Sequence, residues 1–178
     1  VPGQPGGMHT VTGLAHDRDS HFAYDQDINE EGLRSRSLKL AALQKTLKPP
    51  TVFGDQTGEL LVIGWGSMRG TIEEAVERMR AEGRKVASVH LRFLQPMAPG
   101  IDEIMKRFDK VMTVEANWSD SPDEELVDQH NRRYSALAML LRSRYLVDVD
   151  CWTQVRGAPI KPGTICRVMR DKLEVKEG

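Results

Sequence analysis

Residues able to do chemistry gather at three places in this chain. The first is Glu115-Ala-Asn117-Trp118, which follows the apolar, β-branched run Lys110–Val114. A carboxylate and an amide at the carboxyl end of a strand either orient a ligand or cap the helix that comes next. The second is the turn Gly64-x-Gly66-x-x-x-Gly70, with Ser67 and Thr71 on it. Free N–H groups at a helix start after such a turn attract an anion. The turn has one residue more than the dinucleotide fingerprint, and the next strand ends His90-Leu-Arg-Phe-Leu, without an acidic partner for a ribose. The other reading of this turn is a bend that lets a helix pack closely on a sheet. The ligand-binding candidates are therefore Gly66, Ser67, Gly70, Thr71, Glu115 and Asn117, for an anion or another small ligand.

The third place is His9, His16, His21, Asp17 and Asp19. These are metal-ligand types, but they stand in a polar stretch that reads as solvated loop, and no metal site is assigned. Asp25-x-Asp27-x-Asn29 has calcium-loop spacing, yet Glu30 stands where that loop needs glycine and Arg36 where it needs its last carboxylate. Gly54-Asp55-Gln56 lacks the last glycine of a thiamine diphosphate metal motif and precedes a strand instead of following one. No nucleophile elbow and no zinc-protease helix is present. A phosphate-accepting receiver would need acidic residues closing the first strand, where this chain has Gly64. No catalytic residue is assigned. Arg132, Arg133, Arg142 and Arg144 read as a basic helix face, solvated or turned to an acidic partner or a CoA-like phosphate.

The elements that position these residues follow from hydrophobic spacing. Leu60–Ile63 is unbroken apolar chain, the mark of a strand buried on both faces. Thr71 with Glu74 reads as a capping box, and Ile72, Ala75, Val76 and Met79 form one helix face that Gly83 closes. Lys85–Leu94 is a second strand, Ile101–Phe108 a short helix, and Lys110–Val114 a third strand. A long helical pattern runs from about Glu124 to Tyr145, then a strand over Val147–Val155 and a last helix over Thr164–Leu173, with a loose charged tail. Upstream, His9–Gly13 is a possible short strand, Glu30–Leu47 a helix with Leu33, Ser37, Leu40 and Leu43 along one side, and Lys48–Gly58 a linker. The strand–helix alternation predicts an α/β fold, a three-layer sandwich with a mainly parallel sheet. The domains expected are an arm or linker over 1–57 and the compact domain over 58–178.

Bulk properties narrow the function. At net charge −1 there is no basic field for nucleic acid. Two cysteines, Cys151 and Cys166, are too few for a secreted disulfide framework and too far apart for C-x-x-C, so a reducing cytoplasm is the default. No apolar run is long enough for a membrane helix, and no signal peptide is visible. The start at Val1-Pro-Gly without methionine reads as a piece of a longer polypeptide.

The stretch from Ile63 to Met97, IGWGSMRGTIEEAVERMRAEGRKVASVHLRFLQPM, resembles the α subunit of 2-oxoacid:ferredoxin oxidoreductases, especially the 2-oxoglutarate type. Leu140–Val149, Val155–Pro159 and Thr164–Leu173 resemble it too, as does Thr12-Gly-Leu-Ala-His-Asp17, the segment that follows the pyrimidine-binding domain in that subunit. The resemblance implies a transketolase C-terminal-like domain preceded by its linker. It implies a parent enzyme that converts a 2-oxoacid and CoA to acyl-CoA and CO2 and reduces ferredoxin. Its thiamine diphosphate, magnesium and iron–sulfur clusters would lie outside this chain, and its partners would be the rest of the α subunit and a β subunit. No cofactor is expected in this chain itself, and the isolated chain is expected to be inactive. Two departures stand out. Trp118–Tyr134 reads as an insertion, and Ala15 replaces the usual acidic residue before His-Asp. The alternatives are a nucleotide- or CoA-binding module, the C-terminal domain of a transketolase or E1-type enzyme, and a structural domain of an unrelated protein.

Overall fold

The computed structural model describes Val1 and residues 3–174; the charged tail expected to be loose lies beyond the described residues. The chain divides into two units. One comprises Val1–Leu47 with Gln95–Met97, and the other comprises Lys48–Leu94 with the residues from Ala98 onward.

In the first unit the main element is helix α1, Gln26–Gln44. Asp25 is its N-cap, and its carboxylate accepts the N–H groups of Asp27 (2.9 Å) and Ile28 (3.2 Å). The calcium-like spacing is thus a helix start. No residue of α1 is buried, and Leu33 and Leu38 are more than half exposed. The short strand expected at His9–Gly13 is absent; the pairing in this region is a single bridge between His16 and Phe22.

The second unit is built on strand β2, Gly58–Trp65, whose Leu60, Leu61, Val62 and Ile63 are fully buried. Helix α2, Arg69–Ala81, follows after one 3₁₀ turn, Gly66–Met68. The expected capping box does not form. The helix begins two residues before Thr71, whose hydroxyl donates to Met68 C=O (3.1 Å), while Glu74 pairs with Arg78 along the helix. The C-terminus closes as expected. Gly83 takes φ +86°, its N–H reaches Arg80 C=O (2.9 Å), and Arg84 N–H reaches Met79 C=O (3.2 Å), the paired bonds of a Schellman motif. Strand β3 (Val86–Leu91), helix α3 (Ile101–Met105), strand β4 (Phe108–Glu115), helix α4 (Ala136–Tyr145), strand β5 (Asp150–Thr153) and helix α5 (Pro162–Glu174) complete the unit.

The segment expected to be a linker contains a further strand, β1, Val52–Gly54, which pairs antiparallel with β3. The compact unit therefore starts about ten residues earlier than composition suggested. The sheet order is β1-β3-β2-β4-β5, and every pairing except β1–β3 is parallel. Leu60, Val62, Val86, Met112 and Val114 point to one face and meet Ile72, Val76 and Met79 of α2 and Ile165 and Met169 of α5. Alternate residues, among them Leu61, Val111, Thr113 and Glu115, turn to the other face, where α3 and α4 supply Ile104, Met105, Leu137 and Leu141. This is the three-layer α/β arrangement the alternation implied, with one antiparallel edge strand.

Helix α2 approaches the sheet at Gly64. A Cβ there would lie 2.3 Å from Ile72 Cδ1, so the glycine makes room for the helix. The long helix expected from Glu124 forms only from Ala136. Before it, Asp120 and Arg133 clasp each other across the loop, and the Asp128 carboxylate accepts the N–H groups of His130 (2.7 Å) and Asn131 (3.1 Å). Such local side-chain bonds compete with helix formation.

Candidate functional site

From β2 the chain crosses through α2 to β3 on one side; β4 and β5 lie on the other. The direction of winding reverses between β2 and β4, and the crevice at the carboxyl ends of these two strands is where open α/β sheets take ligands. Trp65 ends β2 and Glu115 ends β4, in register.

Glu115 is fully buried. It collects five donors: Trp65 Nε1 (3.2 Å), Asn117 Nδ2 (2.8 Å) and the Leu137 N–H (3.0 Å) on Oε2, and the hydroxyls of Thr113 (2.8 Å) and Ser135 on Oε1. Leu137 is the second residue of α4, so the carboxylate of one strand end caps the next helix and faces its positive pole. Burial alone would push the Glu115 pKa up; the bonds from Ser135, Asn117, Leu137 and Thr113 outweigh it, and the net direction is down. Glu115 is thus a fixed anion. A general base would need its pKa moved toward neutrality.

The other sequence candidates divide by position. Asn117 joins Glu115 directly, and its Oδ1 is buried without a hydrogen bond. Gly66 takes φ +61°, as a left-handed turn after β2 requires, and it is exposed beside Ser67. Gly70 meets no neighbour that a Cβ would strike, so nothing around it calls for glycine. Thr71 is occupied by its own turn. The structure brings Glu115 and Asn117 together, with Gly66 and Ser67 following Trp65. Residue type alone did not mark Trp65, Thr113 and Ser135. Thr113 carried a signal, because it is two residues before Glu115 and shares its face.

On β3, His90 Nδ1 is also buried without a hydrogen bond, and burial pulls the imidazole pKa down, with Arg69 and Arg92 adding to that direction. In the first unit, Thr12–Arg18 and one side of α1, including Ile28, Gly32 and Arg36, line a cavity of about 590 Å³. Asp17, Asp19 and His21 there bring their ligand atoms within 4.8 Å of one another. Asp17 Oδ1 already accepts the N–H groups of Asp19 and His21, both at 2.9 Å, which shapes the turn. The two cysteines do not suit a cluster. Cys151 faces Ser135 at the start of α4, whereas Cys166 packs on Ala75 of α2, so the sheet separates them.

Residues 58–141 match the pyruvate:ferredoxin oxidoreductase core domain II family. Along 97% of its length the chain is 35% identical to the 2-oxoglutarate oxidoreductase subunit KorA of Mycobacterium tuberculosis, of which it covers 24%. The chain is similar to α subunits of 2-oxoacid:ferredoxin oxidoreductases. Among solved structures, the 2-oxoglutarate:ferredoxin oxidoreductase of Magnetococcus marinus, with 2-oxoglutarate, coenzyme A and succinyl-CoA bound, matches with TM-score 0.69 and 26% identity, over 97% of this chain and 28% of that one. A split-gene transketolase matches with TM-score 0.51 at 17% identity, over 73% of this chain and 43% of that one, a likeness of fold. The 2-oxoacid:ferredoxin oxidoreductase relatives are thus about four times the length of this chain. Among the described residues no helix is long and apolar enough to cross a membrane.

Proposed function

We propose that this chain is the transketolase C-terminal-like part of the α subunit of an enzyme that converts 2-oxoglutarate and CoA to an acyl-CoA and CO2 and reduces ferredoxin. The identity to the mycobacterial 2-oxoglutarate subunit along nearly the whole chain carries this reading. The Magnetococcus enzyme's bound 2-oxoglutarate and coenzyme A support the choice of substrates. In this reading the chain works in the cytoplasm, assembled with the rest of the α subunit and a β subunit. Thiamine diphosphate, magnesium and the iron–sulfur clusters belong to those other parts and supply the carbon–carbon cleavage and electron transfer there. This chain contributes a packed scaffold, with the residues before Lys48 as the arm that reaches the neighbouring domain.

The carboxyl edge of the sheet is the place where this scaffold meets a ligand or a neighbour. Ser67 and the Gly66 turn offer hydrogen-bonding groups, with Gly70 and Thr71 at the adjoining helix start. Asn117 Oδ1 offers an acceptor, and Glu115 holds Asn117 in place. Calorimetric titration of the chain with CoA tests this edge, and an Asn117→Ala variant that binds CoA as well as the unaltered chain counts against it.

The assembled function is tested by co-expressing the chain with the remaining α-subunit sequence and a β subunit. The expected result is CoA-dependent reduction of a viologen dye by 2-oxoglutarate in the assembly and none by the isolated chain. Activity in the isolated chain, or an assembly that uses only other 2-oxoacids, overturns the corresponding part of the reading.

A further inference from the structure

Helix α1 is 19 residues long and buries none of them. Its ties to its own unit are few and polar. Asp25 caps its start, Arg18 pairs with Glu31, and Gln44 Nε2 donates to Met97 C=O (3.0 Å) near its end. Gly32 stands mid-helix, where glycine weakens a helix. Helices in proteins draw most of their stability from a packed apolar face, and those without one lean on ion pairs between successive turns. Helix α2 has both, the pairs being Arg69–Glu73 and Arg78–Glu74. Helix α1 has neither among the described residues, so its order calls for cover from elsewhere.

The residues left open say what that cover must be. Leu33, Leu38 and Leu43 are 56%, 57% and 36% exposed. They follow at five-residue steps, each about 140° further round the axis, and so stand on three sides of the helix. Arg34, Arg36 and Lys39 are interleaved with them, and Lys45 is the C-cap. None of these four cations has an acidic partner among the described residues, and no acidic residue follows Glu31 in α1. The helix dipole does not account for them, because its effect falls off beyond the terminal turns and Arg34, Arg36 and Lys39 lie inside. A bilayer takes one apolar face of a helix. Leucines on three sides with cations between them fit a cleft walled by protein.

We propose that α1 docks in an acidic cleft of the remaining α-subunit polypeptide, whose apolar walls take the leucines and whose carboxylates pair Arg34, Arg36 and Lys39. This rests on the reading of the residues before Lys48 as an arm toward that neighbour. The walls must be acidic because a cation taken out of water without a partner is costly.

The test uses the chain co-expressed with the remaining α-subunit sequence and a β subunit. Trypsin cuts after Arg34, Arg36 and Lys39. These cuts should be at least about tenfold slower in the assembly than in the isolated chain, where α1 has little to hold it closed. The double variant Arg36→Glu, Lys39→Glu should bind the assembly at least about tenfold more weakly, with Arg36→Gln, Lys39→Gln in between. An unaltered chain that does not join the assembly overturns the arm reading and this proposal with it. An unaltered chain that joins while α1 is cut as fast as before, or a charge-reversed chain that joins as tightly, overturns this proposal alone. The trypsin comparison needs no substitution, so it decides even where a variant disturbs α1.

Discussion

Glu115 and Asp120 stand five residues apart on one connection, and both are carboxylates ringed by donors. Their donors come from different distances. Glu115 draws on Trp65 of β2, Thr113 of β4, Asn117, Ser135 and the start of α4. Asp120 draws on Arg133, through its N–H (2.9 Å) and its guanidinium (2.7 Å), and on Trp118 two residues away (3.2 Å). The first carboxylate joins elements that the chain places far apart, and the second closes a loop. Similar local chemistry thus holds the core together in one case and shapes the surface in the other.

Glu115→Ala should produce the largest effect. It strands the buried N–H of Leu137, which costs about 1–3 kcal/mol, and takes the partner from the part-buried Trp65 indole N–H and Asn117 amide as well. A loss of about 3 kcal/mol or more in urea unfolding is expected. Glu115→Gln should cost roughly half as much, because the Thr113 and Ser135 hydroxyls can rotate to accept from the new amide. Equal losses for the two variants would mean that charge, and not donor satisfaction, holds the site.

Gly64→Ala comes next. The new methyl would meet Ile72 Cδ1, and overpacking of this kind costs about 1–3 kcal/mol. Ile72→Val removes that carbon, so the double variant should recover part of the loss. A strictly additive double-mutant cycle would break this account.

The pH dependence follows from the direction of the Glu115 shift. Its folded pKa lies below the ordinary carboxylate value, so the unfolded chain binds the proton more tightly. The stabilisation is present above the ordinary carboxylate range and is lost as pH falls through the folded pKa. Melting temperature should drop in acid, and the slope should flatten in Glu115→Gln. Asp120, which the Arg133 guanidinium and N–H hold well below the ordinary range, has the same sign.

The smallest effect is expected from Asp120→Asn. Global unfolding should barely change, while amide exchange in 121–132 should quicken because the loop loses its clasp. A large drop in melting temperature would erase the distinction between the two carboxylates.

How far the sequence was legible tracks the same distinction. The run Leu60–Ile63 and the spacing Ile72, Ala75, Val76, Met79 announced β2 and α2, because burial of one strand and one helix face is written in adjacent residues. Strand β1 was hidden, since three residues after a proline pair carry no periodicity and gain their order from β3. The loop before α4 imitated a helix because its clasp, Asp120 with Arg133, closes over a span longer than the helical repeat that the spacing reads. Glu115 and Asn117 stood out by type and place. Trp65 and Ser135 did not, since their proximity depends on which strands are neighbours.

Cys151 and Cys166 occupy the two halves of a core that the sheet partitions, and both are nearly inaccessible. No oxidant can link them while the sheet stands, so the folded chain forms no disulfide within itself. A thiol-reactive dye added to the native protein then acts as a clock. Each half of the core reports its own opening, and matching labelling rates for the two sulfurs would mean that both halves come apart in one event.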